Sequence, residues 1–175
     1  MKKLLLSVIA MVAFTFTATA QDADGGQTSE GKWLIEANTG FGAEHPANTG
    51  FYLSSEDGST SYGVGFEGGY FIMDDLALKA GLGYSGGDDA LSAFSYKVGA
   101  KYYISGMIPV QVDIAGASVE DLDDNPMYLG IQGGYAIFLG SNVSIEPGLR
   151  YNMSLNEDYS DEGIFQFNIG FALHF

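Results

Sequence analysis

The sequence predicts an all-β chain: an eight-stranded antiparallel up-and-down transmembrane β-barrel, preceded by a cleaved signal peptide. Three observations carry this. Segments of about ten residues alternate apolar and polar side chains, the period of a strand with two different faces. The composition is rich in glycine (25) and aromatics (12 Phe, 11 Tyr, 1 Trp) and poor in proline (4), which suits strands and turns. Outside the first twenty residues no apolar run approaches the roughly eighteen residues of a spanning helix.

The 175 residues leave room for one domain. Residues 1–20 read as a secretory signal: Lys2 and Lys3, an apolar stretch from Leu4 to Phe16, then Ala18-Thr19-Ala20 as a small-x-small cleavage site. Residues 21–31 are expected as a flexible tail and 32–175 as the barrel. Cysteine is absent, which excludes disulfides, thiolate metal sites and a cysteine nucleophile. The formal net charge is −15, and losing Lys2 and Lys3 takes it to −17. A chain so acidic lacks the clustered Lys and Arg that phosphate binding requires, so nucleic acid is excluded as a partner.

The alternation places strands at roughly 32–42, 62–71, 76–85, 94–103, 108–117, 127–137, 143–152 and 164–175. In the first, Trp33, Ile35, Ala37 and Phe41 alternate with Leu34, Glu36, Asn38 and Gly40. In the second, Tyr62, Val64, Phe66 and Tyr70 alternate with Gly63, Gly65, Glu67 and Gly69. Lys79 lies on the polar face of the third strand, Lys97 and Lys101 on that of the fourth, and Gln111 and Asp113 on that of the fifth. In the sixth, Leu129, Ile131, Tyr135 and Ile137 oppose Gly130, Gln132 and Gly134. In the seventh, Val143, Ile145, Leu149 and Tyr151 oppose Ser144, Glu146, Gly148 and Arg150. The last strand is the clearest: Phe165, Phe167, Ile169, Phe171, Leu173 and Phe175 share one face, and Gln166, Asn168, Gly170, Ala172 and His174 the other.

Alternation does not say which face is inside; charge does. The polar faces carry four acids (Glu36, Glu67, Asp113, Glu146) and four bases (Lys79, Lys97, Lys101, Arg150), which cancel, while the other eighteen acids fall in the tail, turns and loops. A solvated face has no need to balance, but an enclosed one must pair its charges. The charged face is therefore the lumen and the aromatic face meets lipid. Glu67–Lys79 and Lys101–Asp113 are expected as cross-strand pairs, with Glu36, Glu146, Lys97 and Arg150 completing a network. The alternative is a narrow ion path along the same charges.

Connections alternate long and short, as a membrane barrel requires. Tight turns are expected near 72–75, 105–107 and 138–142, and long links at 43–61, 86–93, 118–126 and 153–163. Both termini then lie at the short-turn, periplasmic end. The halves echo each other: Val64 to Ile72 matches Leu129 to Ile137 at five of nine positions. Gly68 and Gly133 fall on the lipid face, either packed under a neighbouring aromatic ring or simply tolerated.

The signal peptide, the block Gly68-Gly-Tyr-Phe-Ile-Met-Asp-Asp-Leu-Ala-Leu-Lys-Ala-Gly-Leu-Gly-Tyr84 and the terminal strand ending in Phe175 together resemble the small outer-membrane β-barrel family that includes OmpX and the transmembrane domain of OmpA. The resemblance covers nearly all of the chain after the signal. It implies an outer-membrane location among lipid and lipopolysaccharide. It also implies that Phe167, Ile169, Phe171, Leu173 and Phe175 are the insertion signal read by the barrel-assembly machinery. No peptidoglycan-binding domain follows, so a wall-tethering role does not carry over.

Three roles fit this architecture. The preferred one is a structural barrel whose acidic extracellular loops serve adhesion, surface protection or partner binding. The second is a narrow channel for ions or small solutes. The third is a lipid A-modifying enzyme, which needs a serine- or histidine-based site near the outer leaflet. The only histidines, His45 in the first long link and His174 at the periplasmic end, sit at opposite ends of the barrel, so no catalytic residue and no cofactor is assigned. The acids of 120–124, Asp88-Asp89 and 157–162 are oxygen ligands of the kind that bind divalent cations weakly, or solvated loop charges; no metal site is assigned.

Overall fold

In a computed structural model, which describes residues 26–42, 49–56, 58–88, 90–160 and 162–175, the chain is a closed antiparallel barrel. The signal segment 1–20, residues 21–25 and His45 lie outside the described residues. The strands are β1 (Trp33–Gly42), β2 (Tyr52–Glu56), β3 (Ser59–Met73), β4 (Leu76–Gly87), β5 (Ala93–Ile104), β6 (Ile108–Val119), β7 (Met127–Gly134), β8 (Ile137–Phe138), β9 (Val143–Ser154) and β10 (Ile164–His174). Their order is β1-β10-β9-β7-β6-β5-β4-β3, and β3 returns to β1 through pairs such as Trp33↔Tyr70 and Glu36↔Glu67. Closure leaves no open edge, the condition for strands to cross hydrocarbon with every backbone group satisfied.

Ten strands make eight staves for two reasons. First, β7 and β8 are one stave. Gly134 faces Gly148 and Ile137 faces Ile145, so the register against β9 is unbroken. The gap falls opposite Pro147: Tyr135 N donates to Pro147 O at 3.0 Å, but proline has no N–H to donate in return. The predicted strand 127–137 is thus continuous in register and interrupted only in its hydrogen bonding. Second, β2 lies in the long link read from sequence as loop. It pairs with β3 from Tyr52↔Gly63 to Glu56↔Ser59, a hairpin beyond the barrel wall. Its polar serines carry no alternation signal, so sequence reading missed it.

The strands also outrun their predicted ends on the long-link side, reaching Gly87, Val119 and Ser154. Hairpin hydrogen bonds continue there past the apolar belt, where glycine and serine replace the alternating pattern. At the opposite rim the turns are tight. Asp75 (φ 67°), Ser105 (φ 54°) and Gly106 (φ 70°) take the left-handed conformation that short hairpins need.

The expected flexible tail is, in its described part, a hydrogen-bonded turn across this rim. Glu30 N donates to Asp74 Oδ1 at 2.9 Å and Asp75 N to Thr28 O at 2.7 Å, while Thr28 Oγ1 bonds Asp75 and Gln27 Nε2 bonds Gly140 O. Thr28 is buried.

The burial pattern runs opposite to that of a water-soluble barrel. Phe66, Val98, Phe165, Leu78 and Leu149 stand 52–63% exposed, whereas Glu36, Glu67, Lys101 and Asp113 are at most 2% exposed. Soluble monomers rarely show contiguous apolar patches beyond several hundred Å². This outer surface is built for lipid.

Glycines inside the wall are sterically tested positions. A Cβ on Gly99 would drive into the Val112 carbonyl oxygen and the Asp113 backbone, while Gly133 has nothing within 4 Å. Gly99→Ala is expected to lower stability by roughly 1–3 kcal/mol, and Gly133→Ala to stay within about 0.5 kcal/mol. Urea unfolding midpoints in detergent micelles measure both.

Candidate functional site: a filled and neutral lumen

The strand period turns every second residue inward, and the stagger of neighbouring strands brings the charged ones to a common depth. All eight residues read from sequence as a lumen network (Glu36, Glu67, Lys79, Lys97, Lys101, Asp113, Glu146 and Arg150) meet inside the barrel, each less than a tenth exposed. Six form one chain of ion pairs. Glu36 takes Lys79 at 2.9 Å and Lys101 at 2.6 Å; Glu67 takes Lys79 at 2.8 Å and Lys97 at 2.7 Å; Lys101 also pairs with Glu146. The other two form a fork, with Arg150 Nη1 and Nη2 donating to Asp113 Oδ2 and Oδ1 at 2.7 and 2.5 Å. Gln111 joins the two groups, accepting from Lys79 at 2.8 Å and donating to Asp113 at 2.6 Å.

The expected pairing changes in one place. Lys101 does not meet Asp113. In the β5–β6 register Lys101 faces Gln111 and Asp113 faces Gly99. The lysine stem therefore crosses the lumen to β1 and β9, and Asp113 is left for Arg150. Glu67–Lys79 does form, but diagonally, because Glu67 faces Gly81 and Lys79 faces Gly69. Those glycines explain the reach. A Cβ on Gly81 would lie 2.8 Å from Glu67 Cγ, one on Gly69 3.1 Å from Lys79 Cγ, and one on Gly130 would strike the Arg150 guanidinium. Glu67, Lys79 and Arg150 each lie across the bare backbone of a neighbouring stave.

Neutral partners complete the network, and their roles were not legible from alternation alone. Asn38 Nδ2 donates to Glu36 at 2.9 Å, Tyr103 Oη to Glu146 at 2.9 Å, and Arg150 Nε to Asn152 Oδ1 at 2.7 Å. Thr49 enters from the long-link side. It is fully buried, its Oγ1 donates to Glu67 at 2.7 Å, and its backbone occupies the space a Cβ on Gly65 would need. Thr49 thus turns into the lumen and covers the charges from the long-link end.

The periplasmic end is closed differently, by an apolar floor. Leu34, Phe71, Ala77, Tyr103, Ala136 and Ala172 form a buried cluster with Phe138 packed against it. His174 lies among these rings, 5.6–6.2 Å from the centroids of Phe138, Tyr103 and Phe71. Its Nε2 is 3.0 Å from Ser144 Oγ, which donates to Glu146 at 2.8 Å. Ser144 and His174 are both at 0% exposure, so this serine–histidine contact is enclosed.

The remaining predicted positions are simply placed. On β10, Phe167, Phe171 and Leu173 point outward at 39–49% exposed and Ile169 is half-buried among them. Phe175 bonds back to Trp33, its N donating to Trp33 O at 3.0 Å. Among the described residues, no three His, Cys, Asp or Glu side chains converge on a metal-sized site.

A closed barrel with a greasy exterior and a neutralised interior is a membrane β-barrel, and its fold is that of the small outer-membrane barrels. The N-terminal β-barrel domain of Pseudomonas aeruginosa OprF matches it with a TM-score of 0.55 at 15% identity, over 83% of this chain and 98% of that one. A de novo designed transmembrane β-barrel (TM-score 0.49, 14% identity, 84% and 98% covered) and Neisserial surface protein A (TM-score 0.47, 15% identity, 83% and 98% covered) also align. No family model matches the chain, and no curated protein matches it by sequence.

Removing one member of the network leaves its partners buried with a charge unanswered. Lys101→Met leaves Glu36 and Glu146 each short of a cation and is expected to destabilise the barrel by roughly 3–5 kcal/mol. The double variant Lys101→Met, Glu146→Gln should recover part of that loss. Unfolding midpoints for the two variants check this.

Proposed function

We propose that the chain is a non-conducting, non-catalytic outer-membrane scaffold that holds acidic loops at the cell surface for adhesion, surface protection or partner binding. One observation carries this reading: the charges inside the barrel are buried and paired with one another. Thr49 covers them on the long-link side, and an aromatic floor backs them. An eight-stranded interior is about the size that side chains can fill, and here their charges cancel. Such an interior gives an ion no continuous water path.

The fold likeness and the lipid-suited exterior support the outer membrane as the location. The outward row Phe167, Ile169, Phe171, Leu173 and Phe175 is the segment that the assembly machinery recognises. Beyond the membrane the chain offers Glu120, Asp121, Asp123, Asp124, Glu157, Asp158 and Glu162 to the medium, on two loops joined by a hydrogen bond from Asn156 Nδ2 to Asn125 O at 2.9 Å. These carboxylates also suit a weak divalent-cation bridge to lipopolysaccharide phosphate. A calcium titration that leaves loop order unchanged removes that contribution.

Planar-bilayer recording tests the scaffold against the channel. The intact protein is expected to give no stepwise conductance, while Arg150→Ala, which frees Asp113 and empties the space over Gly130, should admit small, irregular currents. Regular single-channel steps from the unmodified protein overturn the reading in favour of a narrow channel. Lipid mass spectra of expressing cells are expected to be unchanged; a new lipid A species defeats the non-catalytic assignment. Deleting residues 120–125 should reduce adherence of expressing cells without altering heat-modifiable gel mobility.

A further inference from the structure

Three glycines on the lipid face of the strands meet their surroundings in two ways. Gly116 is roofed by its cross-strand partner: a Cβ there would lie 2.5 Å from Tyr96 Oη and 2.6 Å from Cζ. Gly68 and Gly133 have nothing within 4 Å, so no ring packs over them. At Gly68 the missing side chain opens a shallow groove of about 270 Å³, lined by Trp33, Tyr70, Leu78, Lys79, Ala80 and the backbone of Gly68 and Gly69.

The rings that border this groove do not fill it. Trp33 and Tyr70 are cross-strand partners on β1 and β3, and they pack on each other with centroids 5.0 Å apart and planes tilted by 58°. Trp33 remains 54% exposed. The pair stands toward the short-turn rim, where Trp33 N bonds Phe175 O at 2.6 Å. Indole and phenol favour the boundary between headgroups and hydrocarbon. The groove runs from that pair into the belt, past Leu78 and Ala80.

We propose that this groove is a binding site for one acyl chain of an inner-leaflet phospholipid. The site is continuous with the lipid-facing belt; Trp33, Tyr70, Leu78 and Ala80 are its outward side chains, while Lys79 carries its ammonium into the lumen. A polar ligand gains nothing there. An acyl chain fills the space that Gly68 leaves and lies along Leu78 and Ala80, with the Trp33–Tyr70 pair beside its ester end. Trp33 and Tyr70, packed on each other, wall the groove at its short-turn end.

Trp33 is the chain's only tryptophan, so its fluorescence reports occupancy. The refolded full-length protein in non-ionic micelles is titrated with phosphatidylethanolamine brominated midway along its acyl chains. Quenching is expected to show a saturable step at mole fractions where random mixing quenches little, reversed by the same lipid without bromine. Gly68→Leu fills the groove and should abolish the step; Gly68→Ala should weaken it and serves if the leucine variant does not fold. Gly133→Leu, on the stave diametrically across the barrel, should keep it. A purely random-mixing curve for the unmodified protein overturns the proposal, as does a step that survives in a folded Gly68→Leu. Quenching lost with rising protein-to-detergent ratio, together with a dimer in sedimentation, assigns the groove to a second copy and also overturns it.

Discussion

Enclosure is the constraint on which the structure rests. Once eight staves close, a charge inside can no longer be answered by bulk water and must be answered by another side chain. Lys101 shows what that requires. It is buried, yet it reaches two carboxylates on strands far from its own in sequence, Glu36 on β1 and Glu146 on β9. The same lysine stacks 5.1 Å from the Tyr103 ring, which itself holds Glu146. One cation therefore fastens the first strand to the ninth through the middle of the barrel. The backbone ladder closes the wall; the ionic bridges hold the wall to a fixed cross-section.

Much of this was legible in the sequence because two signals survive without three-dimensional information. Period-two alternation marked the staves, and the cancelling of four acids by four bases along one face marked that face as interior. Who pairs with whom was not legible. Lys101–Asp113 looks natural around a hairpin, but the register sets Asp113 against Gly99 and leaves the lysine long enough to cross the lumen. Contacts made by long side chains across a lumen depend on strand stagger, which no local pattern records. The same holds for Thr49. Nothing in its neighbourhood signals that a surface link would turn inward and donate to Glu67.

The two faces of the wall use glycine for opposite ends. Inside, the bare backbone at Gly69, Gly81 and Gly130 is occupied by the stems and tips of Lys79, Glu67 and Arg150. Outside, Gly116 accepts the ring of Tyr96, while Gly68 is left open. Composition reports only that glycine is abundant. The neighbouring stave decides whether a given glycine receives a charge, a ring or neither.

The interlock of glycines with ionic stems ties distant codons to one another. A larger residue at position 81 displaces Glu67, and with it Lys79 on the same strand as position 81 and Lys97 on the next. Viable change in the interior must therefore arrive in matched sets. The exposed loop acids, such as Asp123, Asp124, Glu157 and Asp158, are not held in this ionic network. A lineage of this protein is therefore expected to hold its concealed centre more tightly than its exposed loops.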